Sequence, residues 1–192
     1  MHAGYTALNQ TLGVCSRARA ARTKDFENIR TKFDLDEMSF EQQIRAAEGY
    51  AELGMYSEAL TELDQISPEE QERLESLRMR VQIVLQIRDW NAGLKLSRRI
   101  AEIFPNESHG FIHSAFCLHE LGETQRAKET LLSGPPSLLE EPIYYYNLGC
   151  YETVLGNLDQ AKAYLRASFR LNKGFRDIAR QDPDLAPIRD EL

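Results

Sequence analysis

The sequence predicts an all-α protein, a right-handed α-solenoid made of helix-turn-helix units. Two observations predict this fold class. A turn residue recurs at a step of 34 positions, at Gly54, Arg88, Gly122 and Gly156. A small residue recurs at the same step, at Ala59, Gly93, Ala127 and Ala161. A fixed period of this length indicates one supersecondary unit copied along the chain. We therefore expect four 34-residue units, over 40–73, 74–107, 108–141 and 142–175.

Composition and charge narrow the class of protein. The chain has 192 residues, of which 42% are hydrophobic and 28% charged, as is ordinary for a globular domain. Residues 1–33 carry six basic side chains against two acidic ones, whereas residues 34–72 carry twelve acidic side chains against one basic. An acidic first third argues against nucleic acid as a partner, because such a groove needs a basic stripe. No apolar run approaches the ~20 residues of a membrane helix, so we expect no membrane partner.

Cysteine usage favours a reducing compartment. Cys15, Cys117 and Cys150 are too few and too scattered for a disulfide framework or a paired metal site. We therefore predict a cytoplasmic location. The first 24 residues lack the apolar core of a secretory signal. They are basic and carry no acidic residue, so a flexible tail and an organellar targeting segment both stay open.

The chain divides into three parts. Residues 1–39 are predicted to be a basic tail and an acidic linker, with Ser39 as the N-cap of the first helix. Residues 40–175 hold the four units, each with two amphipathic helices joined by the recurring turn. Prolines follow the second helices, at Pro68, Pro105 and Pro136, and stop them. Residues 176–192 are predicted to be a C-terminal cap of one or two short helices, broken at Pro183 and Pro187. Its Ile178, Leu185 and Ile188 are placed to cover the last unit, as the end of a repeat array requires.

The units resemble the tetratricopeptide repeat (TPR) family, whose pattern is W-x2-L-G-x2-Y, then A-x3-F, then P. The last unit matches best, through Tyr145, Leu148, Gly149, Ala161 and Leu165. The other units share the small and apolar positions, among them Ala47, Tyr50 and Leu63 in the first, Leu77 and Pro105 in the second, and Ala115, Leu118 and Leu131 in the third. The chain departs from the pattern at Arg80 in a Leu position, and at Glu152 and Lys173, where Tyr and Pro are expected.

The resemblance also implies a binding surface. In proteins of this family, the first helices of successive units line a concave groove that takes an extended peptide or a partner helix. By position, this groove would contain Arg45, Glu48, Arg78, Gln82, His109, His113, Phe116, Tyr146 and Asn147. A TPR subclass clamps a terminal carboxylate with Lys and Asn. Only Asn147 fits such a position here, because Arg78, His113 and Ile143 are other residue types.

The sequence predicts neither a zinc site nor a catalytic site. His109, His113 and Glu120 share one helical face and contain zinc-ligand types. However, the zinc-protease pattern needs Glu directly after the first His, where this chain has Gly110. We interpret the histidines as a solvated or groove-lining stripe and predict no metal and no cofactor. No nucleophile elbow, P-loop or dinucleotide motif occurs in the sequence, so we predict no enzyme.

The leading functional hypothesis is a protein-interaction scaffold or adaptor that binds a partner's peptide or helix in the groove. The alternative is a structural or self-assembling repeat protein, a homo-oligomer without a dedicated groove. Opposite charges on residues 1–33 and 34–72 motivate that alternative. RNA binding by helical repeats is a third class, and it is disfavoured because its readers need a basic groove.

Overall fold

A computed structural model describes residues 38–191. The predicted N-terminal tail and most of the acidic linker lie outside this range. Within it, all regular secondary structure is helical, which confirms the all-α prediction. Two segments, Pro136–Glu140 and Pro183–Glu191, are 3₁₀ helices. The α-helices are α1 (Phe40–Glu52), α2 (Tyr56–Asp64), α3 (Pro68–Gln71), α4 (Leu74–Gln86), α5 (Trp90–Ile103), α6 (Ser108–Glu120), α7 (Thr124–Leu132), α8 (Pro142–Val154), α9 (Leu158–Leu171) and α10 (Phe175–Ala179).

Helix α1 begins as the sequence predicts. The Ser39 hydroxyl accepts from the backbone N–H of Gln42, and the Gln42 side chain accepts from the backbone N–H of Ser39 at 2.8 Å. This capping box satisfies two backbone donors that a helix start otherwise leaves exposed. The first residue, Phe40, also packs under the guanidinium of Arg73, whose Cζ lies 4.4 Å from the ring centroid.

The recurring turn has one backbone conformation at each of its sites. The backbone N–H of Gly54 donates to the Ala51 carbonyl, and that of Met55 donates to the Tyr50 carbonyl, both at 2.9 Å. This pair of bonds is a Schellman motif, which needs a left-handed residue after the helix. The φ angle is +73° at Gly54, +60° at Arg88, +82° at Gly122 and +84° at Gly156, and the same two bonds form at each position. The same turn conformation therefore recurs with the 34-residue period of the sequence.

The described residues divide between Ile83 and Val84 into two compact units. In the first compact unit, the core holds Ala47, Ala59, Leu63, Ile66 and Ile83. In the second, a larger core runs through α6 to α9 and includes Ala115, Ala127, Leu131, Leu148 and Leu165. Small residues allow neighbouring helices to approach closely. A Cβ added to Gly149 would lie 2.6 Å from Leu165 Cγ, so α8 and α9 meet at a distance that only glycine permits.

The departure from the family pattern at Glu152 has a structural explanation. The Glu152 side chain is 4% exposed, and its Oε1 lies 2.9 Å from Nζ of Lys128 on α7. Its other oxygen accepts from the Asn157 side chain at 2.8 Å. A buried carboxylate needs such partners, because an unpaired charge in the core is strongly unfavourable. Glu152 and Lys128 thus form a polar link between α8 and α7 where the family pattern has an aromatic side chain.

The C-terminal part differs in detail from the prediction. Helix α10 ends at Ala179 and a 3₁₀ helix begins at Pro183, but Pro187 lies inside that helix rather than ending it. Leu185 and Ile188 are buried against the core of the second compact unit, as predicted, and Ile178 is half-buried beside it.

The turn geometry predicts opposite effects for two matched substitutions. Arg88 is exposed and adopts φ +60°, which L-residues tolerate poorly, so Arg88→Gly should stabilise the protein by about 0.5–1 kcal/mol. Gly122 adopts φ +82°, and no atom lies within 4 Å of the place a Cβ would take. Gly122→Ala should therefore destabilise the protein by about 1 kcal/mol through backbone strain alone. Urea unfolding followed by circular dichroism measures both changes. Shifts of the same sign in the two variants would contradict this description of the turn.

Candidate partner-binding surface

The predicted binding residues of the first compact unit lie on α1 and α4. Arg45 and Glu48 are exposed on α1, and Gln82 is exposed on α4. Arg78, also on α4, is half-buried. The Arg45 Nε donates to the Glu41 carbonyl at 3.1 Å, which holds the guanidinium along its own helix. These polar side chains lie on α1 and α4, which are the first helices of the first two repeats.

In the second compact unit, three predicted residues lie along one face of α6 by their spacing, and we call them the α6 strip: His109, His113 and Phe116. The imidazole rings of His109 and His113 are 5.9 Å apart, and Nδ1 of His109 lies 2.9 Å from a Glu107 carboxylate oxygen. Phe116 meets Trp90 edge to face at 5.7 Å. His109 is exposed and the other two are half-buried, so the strip offers imidazole and aromatic surface to a partner.

The prediction that Tyr146 and Asn147 line an open groove needs correction. Tyr146 is 1% exposed and Asn147 is 8% exposed. The Tyr146 hydroxyl donates to Oδ2 of Asp182 at 2.7 Å, and its ring packs on Phe175 at 5.0 Å. The reason is the position of α8 in the chain. Phe175 and Asp182 follow the α8–α9 helix pair and contact Tyr146 on this face.

Asp182 holds the C-terminal residues against α8. It is 5% exposed and has a partner for each carboxylate oxygen. Oδ2 accepts from Tyr146 and lies 3.7 Å from the Cys150 Sγ, while Oδ1 accepts from the backbone N–H of Asp184 at 3.0 Å. Burial, followed by the negative charge of Asp182, raises the pKa of the Cys150 thiol. Burial likewise raises the pKa of the Tyr146 hydroxyl. Both groups therefore keep their protons at neutral pH and can donate to the carboxylate.

His119 supplies a second anchor that the sequence did not predict. Its Nε2 lies 2.9 Å from Oδ2 of Asp184, and its Nδ1 lies 3.0 Å from the Thr124 hydroxyl. A carboxylate only accepts hydrogen bonds, so Nε2 carries a proton. The ring is 8% exposed and rests 4.9 Å from that of Tyr151. His119 is thus a buried packing and hydrogen-bonding residue. It is separate from the α6 strip.

The pair was missed because His119 and Asp184 are 65 positions apart, outside any repeat step. The only sequence signal is local. Asp182 and Asp184 flank a proline in a segment that must cover an apolar face, and buried carboxylates require donors. Nothing in the sequence says which donors these are.

The remaining features bear on ligand chemistry. Within residues 38–191, no group of three His, Cys, Asp or Glu side chains is arranged to hold a metal ion. Cys117 and Cys150 are free and buried, and burial raises the pKa of the Cys117 thiol to about 12. No helix in this part of the chain is long and apolar enough to cross a membrane.

Comparison with known proteins places the fold. No protein-family model matches the sequence, and no curated protein matches it. Among solved structures, a double mutant of MamA superposes with a TM-score of 0.64 at 15% identity, covering 82% of this chain and 98% of that one. Another MamA crystal structure gives 0.62 at 14% identity, covering 81% and 89%. YrrB, described as a TPR protein with an unusual peptide-binding site, gives 0.58 at 14% identity, covering 91% and 84%. The chain therefore has a TPR-like, all-α solenoid fold.

The anchor at Asp182 predicts unequal costs for two tyrosine substitutions. Tyr146→Phe removes a donor from a buried carboxylate and should destabilise the protein by about 1–3 kcal/mol. Tyr145→Phe is the matched control. It removes only a half-buried hydroxyl that donates to the Leu139 carbonyl at 3.1 Å, and should cost less than about 1 kcal/mol. Denaturant unfolding measures both variants. Equal costs would show that Asp182 does not depend on Tyr146.

Proposed function

We propose that the protein is a protein-interaction scaffold that binds a peptide or helix of a partner protein. The observation that carries the proposal is the α6 strip. Aromatic and imidazole groups are suited to places where proteins recognise partners, since one edge packs while the other makes hydrogen bonds. The strip presents both groups, partly exposed, along one helix.

The fold supports this proposal without deciding it. A TPR-like fold hosts many unrelated partners, so function must be argued from the surface. One structural neighbour, YrrB, is described as having a peptide-binding site, and that description applies to YrrB alone. What it adds is that the fold is suited to hold a peptide. The role we propose is binding, with no catalytic step.

The predicted residues have different roles in this proposal. In the first compact unit, Arg45, Glu48, Arg78 and Gln82 are candidates for polar contacts with a partner, considered by themselves. In the second, the α6 strip would supply the apolar and imidazole contacts. Tyr146 and Asn147 are not part of this surface, because both are buried, and Asp182 and Phe175 contact Tyr146. Two free cysteines in the described chain fit the reducing, cytoplasmic location that we include in the proposal.

Partner capture tests the proposal directly. The full chain, a His109→Glu/His113→Glu variant and a control Asn91→Glu/Gln160→Glu variant would be used as bait in native lysate, with mass spectrometry as readout. Both variants add two negative charges in the second compact unit, but Asn91 and Gln160 are exposed on the second-helix elements α5 and α9. Circular dichroism checks that all three are equally helical.

We expect partners that bind the full chain and the control variant but are lost from the α6-strip variant, by at least about tenfold in spectral abundance. Partners retained equally by both variants would contradict the α6 strip as the binding surface. Capture of further copies of this chain, together with a larger mass in light scattering, would instead favour the self-assembling alternative.

A further inference from the structure

The C-terminal residues Asp182–Glu191, here called the C-terminal segment, cover the face of α8 that the sequence assigns to a partner. We propose that this segment is a displaceable ligand held in cis, and that the α8 face takes an acidic, apolar peptide of the same pattern from a partner protein. The α8 face is a second site, separate from the α6 strip, so this proposal goes beyond the proposed function.

Docking contacts, rather than intrinsic helical stability, fix the conformation of the segment. Pro183–Glu191 is a 3₁₀ helix of 9 residues, although such helices rarely exceed three or four residues. Pro187 lies inside the segment and lacks a backbone donor, which disfavours an α-helix here. A segment with so little intrinsic helical stability is ordered by its docking contacts, as a bound peptide is. The segment therefore differs from α5, α6, α8 and α9, which are α-helices of 13 or 14 residues.

The contacts themselves resemble the recognition of an acidic peptide. Asp182 accepts from Tyr146, Asp184 accepts from His119, and the Glu191 carboxylate lies 2.5 Å from Nζ of Lys162. Thus three acidic side chains of the segment meet donors or a cation on the covered surface. Between them, Leu185 and Ile188 are 0% and 1% exposed.

This arrangement defines what a partner peptide must carry. Two carboxylates stand two residues apart, and a leucine directly follows the second. Carboxylates fix the register through charge-assisted hydrogen bonds, and the apolar side chains supply the buried area. A peptide without the second carboxylate would leave His119 without its acceptor, in a site where it is 8% exposed.

The covering segment also sets how strongly a partner binds. A ligand tethered by a few residues has an effective concentration of about millimolar. A peptide in solution must compete with it, so the apparent Kd rises as the fraction of molecules with an open face falls. Arg180 and Gln181, both exposed, join the segment to α10 and can act as the tether. Weakening the segment in cis should therefore increase the affinity for the same sequence supplied in trans.

The test uses full-length chains that carry Cys15→Ser, so that Cys117 and Cys150 are the remaining thiols. The probe is a fluorescein-labelled synthetic peptide with the sequence of residues 181–191. Its binding is measured by fluorescence anisotropy to the chain with the unchanged segment and to an Asp184→Ala/Leu185→Ala variant. A peptide with the same two substitutions is the matched control. Alkylation of the two cysteines is followed by mass spectrometry on the same samples.

We expect the variant to bind the native-sequence peptide at least about tenfold more tightly than the chain with the unchanged segment. The substituted peptide should not bind. Cys150, which contacts Asp182, should be alkylated faster in the variant and be protected again by the peptide. Cys117, which lies against Gly93 away from the segment, should remain protected throughout. Light scattering should show a monomer.

Three results would overturn the proposal. If the peptide fails to bind while Cys117 stays protected, the face does not accept a ligand in trans. If both cysteines become reactive at the same rate, the segment is an integral part of the core. If the chain with the unchanged segment is a dimer, a second copy can supply the segment, and the cis assignment fails. Failure of the proposed function is separate, because it is read from the α6-strip variant, which leaves the α8 face and the segment intact.

Discussion

A left-handed backbone conformation after each first helix is the constraint on which the helix pairs depend. The Schellman bonds at Gly54, Arg88, Gly122 and Gly156 end one helix and direct the chain into the next within a few residues. The buried small residues then allow the two helices to meet, as Gly149 does against Leu165. The left-handed turn and the small residues between the paired helices are a fixed number of residues apart, so both recur every 34 residues.

The face of α8 that carries Tyr146 is contacted by residues that follow the α8–α9 helix pair. Exposed apolar surface there would be unfavourable, and the chain covers it with a 3₁₀ helix that contains Pro187. Leu185 and Ile188 remove apolar area from water, while Asp182 and Asp184 occupy the donors Tyr146 and His119. The acidic, proline-containing segment contacts α8 through buried apolar side chains and hydrogen-bonded carboxylates, as a bound peptide would.

Sequence reasoning succeeded where a feature is local and periodic. The capping box at Ser39, the turn positions and the buried alanines follow from residue type and spacing, and the structure contains them. It also placed His109, His113 and Phe116 on one helix, and their role in binding stays a prediction. It failed at Tyr146 and Asn147, since position within a repeat says nothing about what covers the last one. The His119–Asp184 pair joins a repeat to a non-repeating segment, so no period could have revealed it.

If the C-terminal segment docks on α8 as a separable element, it opens independently of that helix. Native-state hydrogen exchange, resolved by residue with NMR, tests it most directly, because it reports the free energy of opening for each amide. The account predicts that amides of Leu185–Glu191 exchange through a local opening of lower free energy than amides of Tyr146–Tyr151, which open only when α8 unfolds. Exchange of both groups with one common free energy would contradict it, and the segment would then be an inseparable part of the core.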